Sequence, residues 1–278
     1  AVPGVGRLFV DADGSVYLTE VSAALDVLKV TSEAGAVRLT VNDSARPGEN
    51  LNLLLNGTTQ FGVAITQGRI DAVQAVTILA GDDVNLPAGT SITSDVEVLI
   101  QGDNQTIDGD QGEGTTIDIQ GDVQAPHVTI AGSREVDFLQ INNPNGINAG
   151  GTTVLRGYEE NDRLVIRAIG GATTLQGDIG ADRYFVSSNA NKAVFITDGV
   201  YNDQSGAAGP NDPDNLTGSI SPFDRLTGNL AQLGGLTIIG GEGGNGGTLD
   251  AVFISVDDAA AALTGSLENG SVSGLGLT

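Results

Sequence analysis

The sequence predicts an all-β protein, and more specifically a right-handed parallel β-helix whose short strands stack coil on coil. Three observations support this prediction. Short runs rich in β-branched residues end in glycine about every 20 residues, and each run is too short for a helix. A Gly-x4-Asp phrase returns three times in the middle of the chain. Glycine supplies 41 of the 278 residues, which indicates many tight turns.

The recurring phrase is a glycine, four residues, an aspartate and an alternating apolar segment. Its copies are Gly132–Asp137, Gly157–Asp162 and Gly177–Asp182, so the glycines are 25 and 20 residues apart. Such a period is typical of proteins that stack one unit on itself. We expect the phrase to mark one corner per coil, where the glycine makes the turn and the aspartate caps it.

The N-terminal residues 1–70 are β-rich and predict either irregular β structure or the first coils. The segment RLFVDADGSVYLTEV has two alternating apolar runs around Asp11–Ser15, which predicts a hairpin turn and also resembles the start of an EF-hand loop. A second pair of runs flanks Glu33–Gly35. Leu28 and Val30 are expected on one side of their strand, since alternate residues share a face.

Residues 71–186 predict the regular coils of the β-helix. Their apolar runs end at Gly81, Gly102, Gly121, Gly132, Gly157 and Gly177. Residues 187–235 predict an irregular insertion, because a long stretch of Gly, Pro, Asp and Asn there has no apolar period. Residues 236–278 return to the rhythm and predict further coils that continue the array.

The chain is strongly acidic, with a formal net charge of −23. This charge disfavours nucleic acid and anionic membranes as partners, because both require a basic surface. Clustered carboxylates make divalent cations plausible partners, although an acidic surface also simply keeps a protein soluble. No apolar run is long enough for a membrane span.

Residue types that are missing exclude several chemistries. The chain has no Cys, which excludes cysteine catalysis and cysteine–zinc sites, and its single histidine, His127, is expected at the surface of a strand. It contains no Met and shows no signal-peptide pattern at its start, so we expect a processed or excised segment. The mid-chain arginines are expected to pair with neighbouring acids.

One copy of the phrase resembles the calcium-binding nonapeptide of RTX proteins. That motif is Gly-Gly-x-Gly-x-Asp-x-apolar-x, and residues 177–184, GDIGADRY, depart from it only at the second glycine, where Asp178 stands. The resemblance implies a Ca²⁺ site at Asp178 and Asp182. A solvated aspartate turn is the alternative, because RTX calcium stacks need tandem copies and these lie a coil apart.

The wider pattern resembles the giant repetitive RTX-related adhesins of bacterial surfaces. Residues 171–278 carry the strongest resemblance, in GADRYFVSS, LDAVFISVDD and LTGSLENGSVSGLGLT, while residues 71–170 match more loosely. The resemblance implies an extracellular or cell-surface β-solenoid with a structural, adhesive or filament-forming role. It does not imply catalysis.

The predicted function is a non-enzymatic structural module, a rod that stacks end to end into a fibre or a giant adhesin stalk. Its partners would be neighbouring copies of itself or adjacent repeats, with cell-surface polysaccharide as a further candidate. One rival is a β-helix polysaccharide lyase or hydrolase, which requires converging carboxylates, a Lys or Arg and aromatics for sugar stacking. Aromatics are only 4% of the chain. The other rival is a calcium-dependent surface-binding module.

Overall fold

The computed structural model describes a protein of parallel β-strands arranged in two sheets. It describes residues 7–44, 48–55, 57–58, 62, 64–103, 114–148, 150–186, 236–240, 250–254, 266–268 and 271–273. These described residues contain no helix, and thus no helix that could cross a membrane. The all-β prediction and the parallel pairing are confirmed.

The larger sheet has twelve strands and the smaller has eight. The large sheet contains β1 (Arg7–Ala12), β3 (Leu25–Ser32), β5 (Leu51–Leu53), β8 (Arg69–Ala72), β10 (Val84–Leu86), β11 (Ser91–Ser94), β13 (Thr116–Ile119), β14 (Asp122–Gln124), β16 (Phe138–Ile141), β18 (Arg163–Ile166), β20 (Arg183–Val186) and β22 (Ala251–Ile254). The small sheet contains β2 (Val16–Glu20), β4 (Val37–Val41), β9 (Val76–Leu79), β12 (Glu97–Gln101), β15 (His127–Ala131), β17 (Thr152–Glu159), β19 (Ala172–Ile179) and β21 (Leu236–Ile239).

Two short antiparallel pairs lie outside these sheets. They are β6 (Gly57–Thr58) with β7 (Ala64–Ile65), and β23 (Ser266–Glu268) with β24 (Ser271–Ser273). Two strands from the part of the chain after residue 235 belong to the main sheets: β21 pairs with β19 in the small sheet, and β22 pairs with β20 in the large sheet. The predicted insertion at 187–235 lies outside the described residues, and the division at residue 70 stays a prediction.

The chain alternates between the two sheets. We call one passage through the large sheet and then the small sheet a round. Each strand pairs in parallel with the equivalent strand one round earlier or later, so that Ile100 on β12 lies between Ile78 on β9 and Ile130 on β15. In the large sheet, β3 divides its partners: its first residues pair with β5 and its last with β8.

One continuous core lies between the sheets. It consists almost wholly of Val, Leu and Ile, and residues of both sheets join it, such as Val30, Ile78 and Ile166. Each of these is 0% exposed. The alternating strand pattern explains this arrangement, because every second side chain points to the same face of a sheet. A core of aliphatic layers fits the scarcity of aromatics in the sequence.

The glycine-ended runs do not all belong to one stack, which explains their uneven spacing. Five of the runs are β9, β12, β15, β17 and β19 of the small sheet, whereas the run that ends at Gly121 contains β13 of the large sheet. The two small-sheet glycines Gly102 and Gly132 are therefore one whole round apart. The chain between them passes through β13 of the large sheet, which is followed by Gly121.

The predicted N-terminal hairpins are wrong. Strands β1 and β2 flank Asp13–Gly14 but lie in different sheets, and each pairs in parallel with a strand of the next round, β3 and β4 respectively. The same separation holds for β3 and β4 around Glu33–Gly35. Two alternating strands joined by a short turn look alike in sequence whether the chain folds back into a hairpin or turns a corner into another sheet. Only the identity of the paired strands distinguishes the two folds.

Leu28 also departs from the expected alternation. On β1, Leu8 pairs with Val27 and Phe9 pairs with Lys29, so Leu28 has no partner there and forms a bulge. Its side chain is 1% exposed but lies outside the core cluster that contains Val30. The bulge occurs where β3 changes from one partner strand to the next.

The shared core predicts that one stacked isoleucine matters far more than an exposed aliphatic residue. Ile100→Ala should lower the free energy of unfolding by about 2–5 kcal/mol, because it leaves a cavity between two neighbouring isoleucines. Val96→Ala, at a side chain that is 48% exposed, should change it by less than about 0.5 kcal/mol. Urea unfolding followed by circular dichroism measures both, and equal effects would contradict the core described above.

Candidate functional site

A row of four aspartates, three of them buried, lies at the corner where the chain leaves the small sheet and enters the large one. Its members each precede a large-sheet strand directly: Asp137, Asp162, Asp182 and Asp250. We call these four residues the aspartate ladder. Three of them are the aspartates of the Gly-x4-Asp phrase, so the structure confirms that the phrase recurs at one corner of successive rounds.

Hydrogen bonds connect the ladder from round to round. Each Oδ1 accepts the backbone N–H of the equivalent residue one round earlier: Asp137 from Thr115 at 2.8 Å, Asp162 from Asp137 at 2.8 Å, Asp182 from Asp162 at 2.9 Å and Asp250 from Asp182 at 3.0 Å. Beside the first three contacts the backbone adds a further hydrogen bond, for example from Arg183 N–H to the Asp162 carbonyl at 2.8 Å. The ladder thus joins five consecutive rounds through side chains.

The phrase requires glycine because of space. A Cβ atom placed on Gly132, Gly157 or Gly177 would lie 1.8 Å from Oδ2 of the aspartate in the same phrase. None of these glycines has a positive φ. The left-handed backbone conformation falls instead on the following residue, Tyr158 at φ 99° and Asp178 at φ 71°. The expectation that glycine makes the turn is therefore wrong: it leaves room for a carboxylate.

Asp137, Asp162 and Asp182 are buried, whereas Asp250 is half-buried, so Asp182 is not the solvated turn residue that was the alternative. Asp162 and Asp182 are 0% exposed, and among the described residues neither Oδ2 has a hydrogen-bond partner. Desolvation raises the pKa of Asp137 to about 7 and that of Asp182 to about 7. The pKa of Asp162, in the middle, rises well above its usual range for the same reason.

Neighbouring charges act on the ladder mostly in one direction. Asp137 and Asp182 both raise the pKa of Asp162, in addition to its desolvation. Asp250 raises the pKa of Asp182, whereas the Arg183 guanidinium lowers it. Backbone N–H donors also lower the pKa values, but they do not outweigh burial. Burial and like charges thus shift Asp137, Asp162 and Asp182 towards the protonated form.

The predicted calcium ligands Asp178 and Asp182 have different surroundings. The Asp178 carboxylate pairs with the Arg156 guanidinium and accepts a hydrogen bond from Gln176 Nε2 at 2.5 Å. Asp182 is a member of the ladder and is fully buried. Calcium binding by this pair stays a prediction.

Thr115 occupies the ladder position one round before Asp137, and the sequence analysis missed it. A Cβ on Gly102 would lie 1.9 Å from Thr115 Oγ1, and that hydroxyl donates to the Asp82 carbonyl at 2.6 Å. The spacing between Gly102 and Thr115 is thirteen positions instead of five, so no motif search with a fixed spacing would find it. The ladder contact itself is the only signal.

Other polar residues singled out from the sequence lie at the surface. His127 is exposed at the start of β15, as expected, with Nδ1 2.9 Å from Thr152 Oγ1. Arg134 pairs with Glu159 at 3.6 Å, which fits the expected acid pairing. Arg167 donates to Asn142 Oδ1 at 3.1 Å.

A shallow groove of about 500 Å³ runs along the N-terminal rounds of the large sheet. Carboxylates and both kinds of basic side chain line it, and its charged lining residues are Asp11, Lys29, Glu33, Arg69, Asp71 and Asp95. Both cations are already paired: Lys29 Nζ lies 2.6 Å from Asp11, and Arg69 Nε lies 3.1 Å from Asp71. No aromatic residue is among the described residues that line the groove.

Comparisons of the chain with known protein families, with curated protein sequences and with solved structures found no match. The functional argument therefore depends on the geometry of this chain alone.

The close approach of the carboxylate predicts a specific intolerance at the glycine. Gly157→Ala should destabilise the protein by more than about 2 kcal/mol, because its methyl group and the Asp162 carboxylate would occupy the same space. Gly14→Ala is the matched control, since no atom lies within 4 Å of its added Cβ. Thermal unfolding compares the two variants. A similar, small effect of both would contradict the role assigned to the glycine.

The ladder also predicts that stability falls as pH rises. In the folded state the pKa values of Asp137, Asp162 and Asp182 lie above the ordinary value of 3.8, at about 7 for Asp137 and Asp182. The folded protein therefore binds more protons than the unfolded chain between these pH values, and the free energy of unfolding decreases through that window.

Asp162→Asn tests this directly, because it keeps the Oδ1 acceptor and removes the central charge. We expect its melting temperature at pH 8 to exceed that of the unmodified protein by roughly 5 °C or more. At pH 4 the difference should nearly vanish. Asp13→Asn, at an exposed turn, controls for the change in net charge. A pH-independent effect of Asp162→Asn would refute the electrostatic account.

Proposed function

We propose that the chain is a non-enzymatic structural module of an extracellular or cell-surface bacterial protein. In this proposal it is a right-handed parallel β-helix, a rod that joins neighbouring copies or adjacent repeats end to end. The observation that carries the proposal is the open edge of the first described round. Within the described residues, β1 pairs only with β3 and β2 only with β4. An unpaired strand edge is a template for another strand.

The free edge of β2 is prepared for hydrogen bonding. Val16 N–H donates inward to the Ala36 carbonyl at 2.8 Å, and the Glu20 carbonyl accepts from Asn42 N–H at 2.9 Å. Because backbone groups alternate in direction along a strand, the N–H groups of Tyr17 and Thr19 point to the open side. A strand from another copy could pair there without disturbing β4.

The same end of the stack also offers apolar surface. Leu8, Val10 and Leu18 point towards the core but are only partly buried. On the opposite faces of these strands, Phe9 is 39% exposed and Tyr17 is 71% exposed. In the interior rounds the equivalent core-facing residues are fully covered by a round on each side. End-to-end stacking would bury the first round in the same way.

Stacking of strands and hydrogen bonds between rounds both support the proposal of a rod. The small sheet stacks eight strands, which at about 4.8 Å per strand extend over roughly 34 Å. The aspartate ladder adds side-chain hydrogen bonds between rounds to those of the backbone. The net charge of −23 favours solubility outside the cell and disfavours binding to nucleic acid. Surface localisation and the adhesin relationship remain part of the proposal.

The polysaccharide lyase or hydrolase is the weaker candidate. Its best location is the groove beside β1, β3 and β8, where carboxylates and basic residues meet. Lys29 and Arg69 each already pair with an aspartate there, and the described lining offers no aromatic face for a sugar ring. Binding of a surface polysaccharide at this groove needs no catalysis and stays compatible with the structural role.

Blocking the open edge tests the proposal. Thr19→Pro removes an outward N–H and places a ring at the edge without removing a bond to β4. We expect the unmodified protein to form concentration-dependent linear assemblies, measured by light scattering and electron microscopy, and Thr19→Pro to stay monomeric. Thr19→Ala is the matched control and should assemble normally. Circular dichroism must show the same β content in all three proteins. If the unmodified protein stays monomeric at high protein concentration and high salt, assembly through this edge is refuted.

A further inference from the structure

Three carboxylates meet where two successive rounds pass the corner before the aspartate ladder begins. Asp43 and Glu49 belong to the connection between β4 and β5, and Asp82 lies between β9 and β10. One oxygen from each residue can be chosen so that all three lie within 4.8 Å of one another. We call these three residues the acidic cluster. It contains neither predicted calcium ligand, and the sequence analysis did not single it out.

The strongest observation is the state of Glu49. This side chain is 2% exposed, and its Oε2 is buried without a hydrogen-bond partner among the described residues. The other oxygen, Oε1, accepts from Ser44 Oγ at 2.8 Å. A buried carboxylate oxygen without a partner is costly, because it has lost its water and gained nothing in exchange. Two further carboxylates beside it increase that cost.

Backbone hydrogen bonds hold the two connections together at the cluster, so Glu49 and Asp82 stay side by side. Glu49 N–H donates to Asp82 Oδ2 at 2.9 Å, and Asp82 N–H donates back to the Glu49 carbonyl at 3.2 Å. Gly48 N–H donates to the same Asp82 oxygen. Gly81 has no side chain to separate the connections: a Cβ there would lie 2.8 Å from Glu49 Cβ and 2.9 Å from Asp43 Cα.

We propose that Asp43, Glu49 and Asp82 bind a hard divalent cation of the calcium class, which joins two successive rounds. The ligand atoms are all oxygens, as calcium prefers, and the cluster contains no His or Cys for a softer metal. Three ligands spread evenly around a calcium ion at 2.3–2.6 Å are about 4.0–4.5 Å apart, and the three oxygens already lie within 4.8 Å of one another. Mg²⁺ demands a stricter octahedral geometry and gives up its water reluctantly, so an irregular carboxylate site favours calcium.

The full chain, freed of metal with a chelator, is the material for the test. Thermal unfolding and isothermal titration calorimetry with CaCl₂ should show one added site. The melting temperature should rise by about 5 °C when calcium is well above its dissociation constant. MgCl₂ at the same concentration controls for charge screening and should give a clearly smaller shift. Absence of any calcium-specific shift or heat at 10 mM would overturn the proposal.

Glu49→Gln separates a cation site from general screening of the acidic surface. With calcium present, Glu49→Gln should lose most of the rise in melting temperature, and it should bind calcium at least tenfold more weakly. In chelator, it should melt above the unmodified protein, since it removes one of three repelling charges. Asp43→Asn provides a second variant with the same expectations. Asp13→Asn, an exposed acid outside the cluster, should keep the full calcium shift.

Two further variants distinguish the competing explanations. Asp178→Asn should leave the calcium shift intact; loss of the shift in this variant alone would place the ion at the predicted pair of Asp178 and Asp182 instead. Arg46 stands between Asp43 and Glu49 in the sequence, and a basic side chain is no ligand for a cation. Arg46→Gln should therefore keep or tighten calcium binding. If this variant instead loses stability equally with calcium and with chelator, and binds no calcium, the arginine and not a cation neutralises the three carboxylates.

Discussion

The structure depends on parallel pairing between rounds that are far apart in sequence. A strand such as β12 obtains none of its sheet hydrogen bonds from its chain neighbours; it takes them from β9 and β15. No round can therefore satisfy its backbone or bury its apolar face alone, and the core forms only when several rounds stack. The same dependence leaves the first described round with an open edge and a partly exposed core face, from which the proposal of end-to-end assembly follows.

The corner before each large-sheet strand has the strictest chemistry in the molecule. A glycine without a side chain leaves space, an aspartate fills that space with a carboxylate, and the carboxylate holds the backbone of the neighbouring round. Burial makes this arrangement electrostatically costly, as the raised pKa values of Asp137, Asp162 and Asp182 indicate. One corner thus provides alignment of the rounds, dependence on pH and, two and three rounds before Asp137, the acidic cluster.

The acidic cluster and the aspartate ladder deal with the same difficulty in different ways. Ladder carboxylates accept backbone N–H groups in a continuous row, and protonation reduces their mutual repulsion. Glu49 has no such row, and its second oxygen lacks a partner among the described residues. A cation would supply what protonation supplies elsewhere. A rod that is sensitive both to pH and to calcium would respond to its surroundings through one structural position repeated along its length.

The sequence by itself determined the strand content, the aliphatic core and the recurrence of the Gly-x4-Asp phrase at one corner, because these follow from local patterns of two to six residues. It also placed His127 at the surface. Only the tertiary structure decided the parallel pairing of β1 and β2 with the next round, where the sequence predicted a hairpin. Only the tertiary structure revealed Thr115 at the equivalent position one round before the ladder and brought Asp43, Glu49 and Asp82 together. The physical reason is the same in each case: the contacts join residues 20 to 40 positions apart, and local pattern carries no information about which distant strand lies alongside.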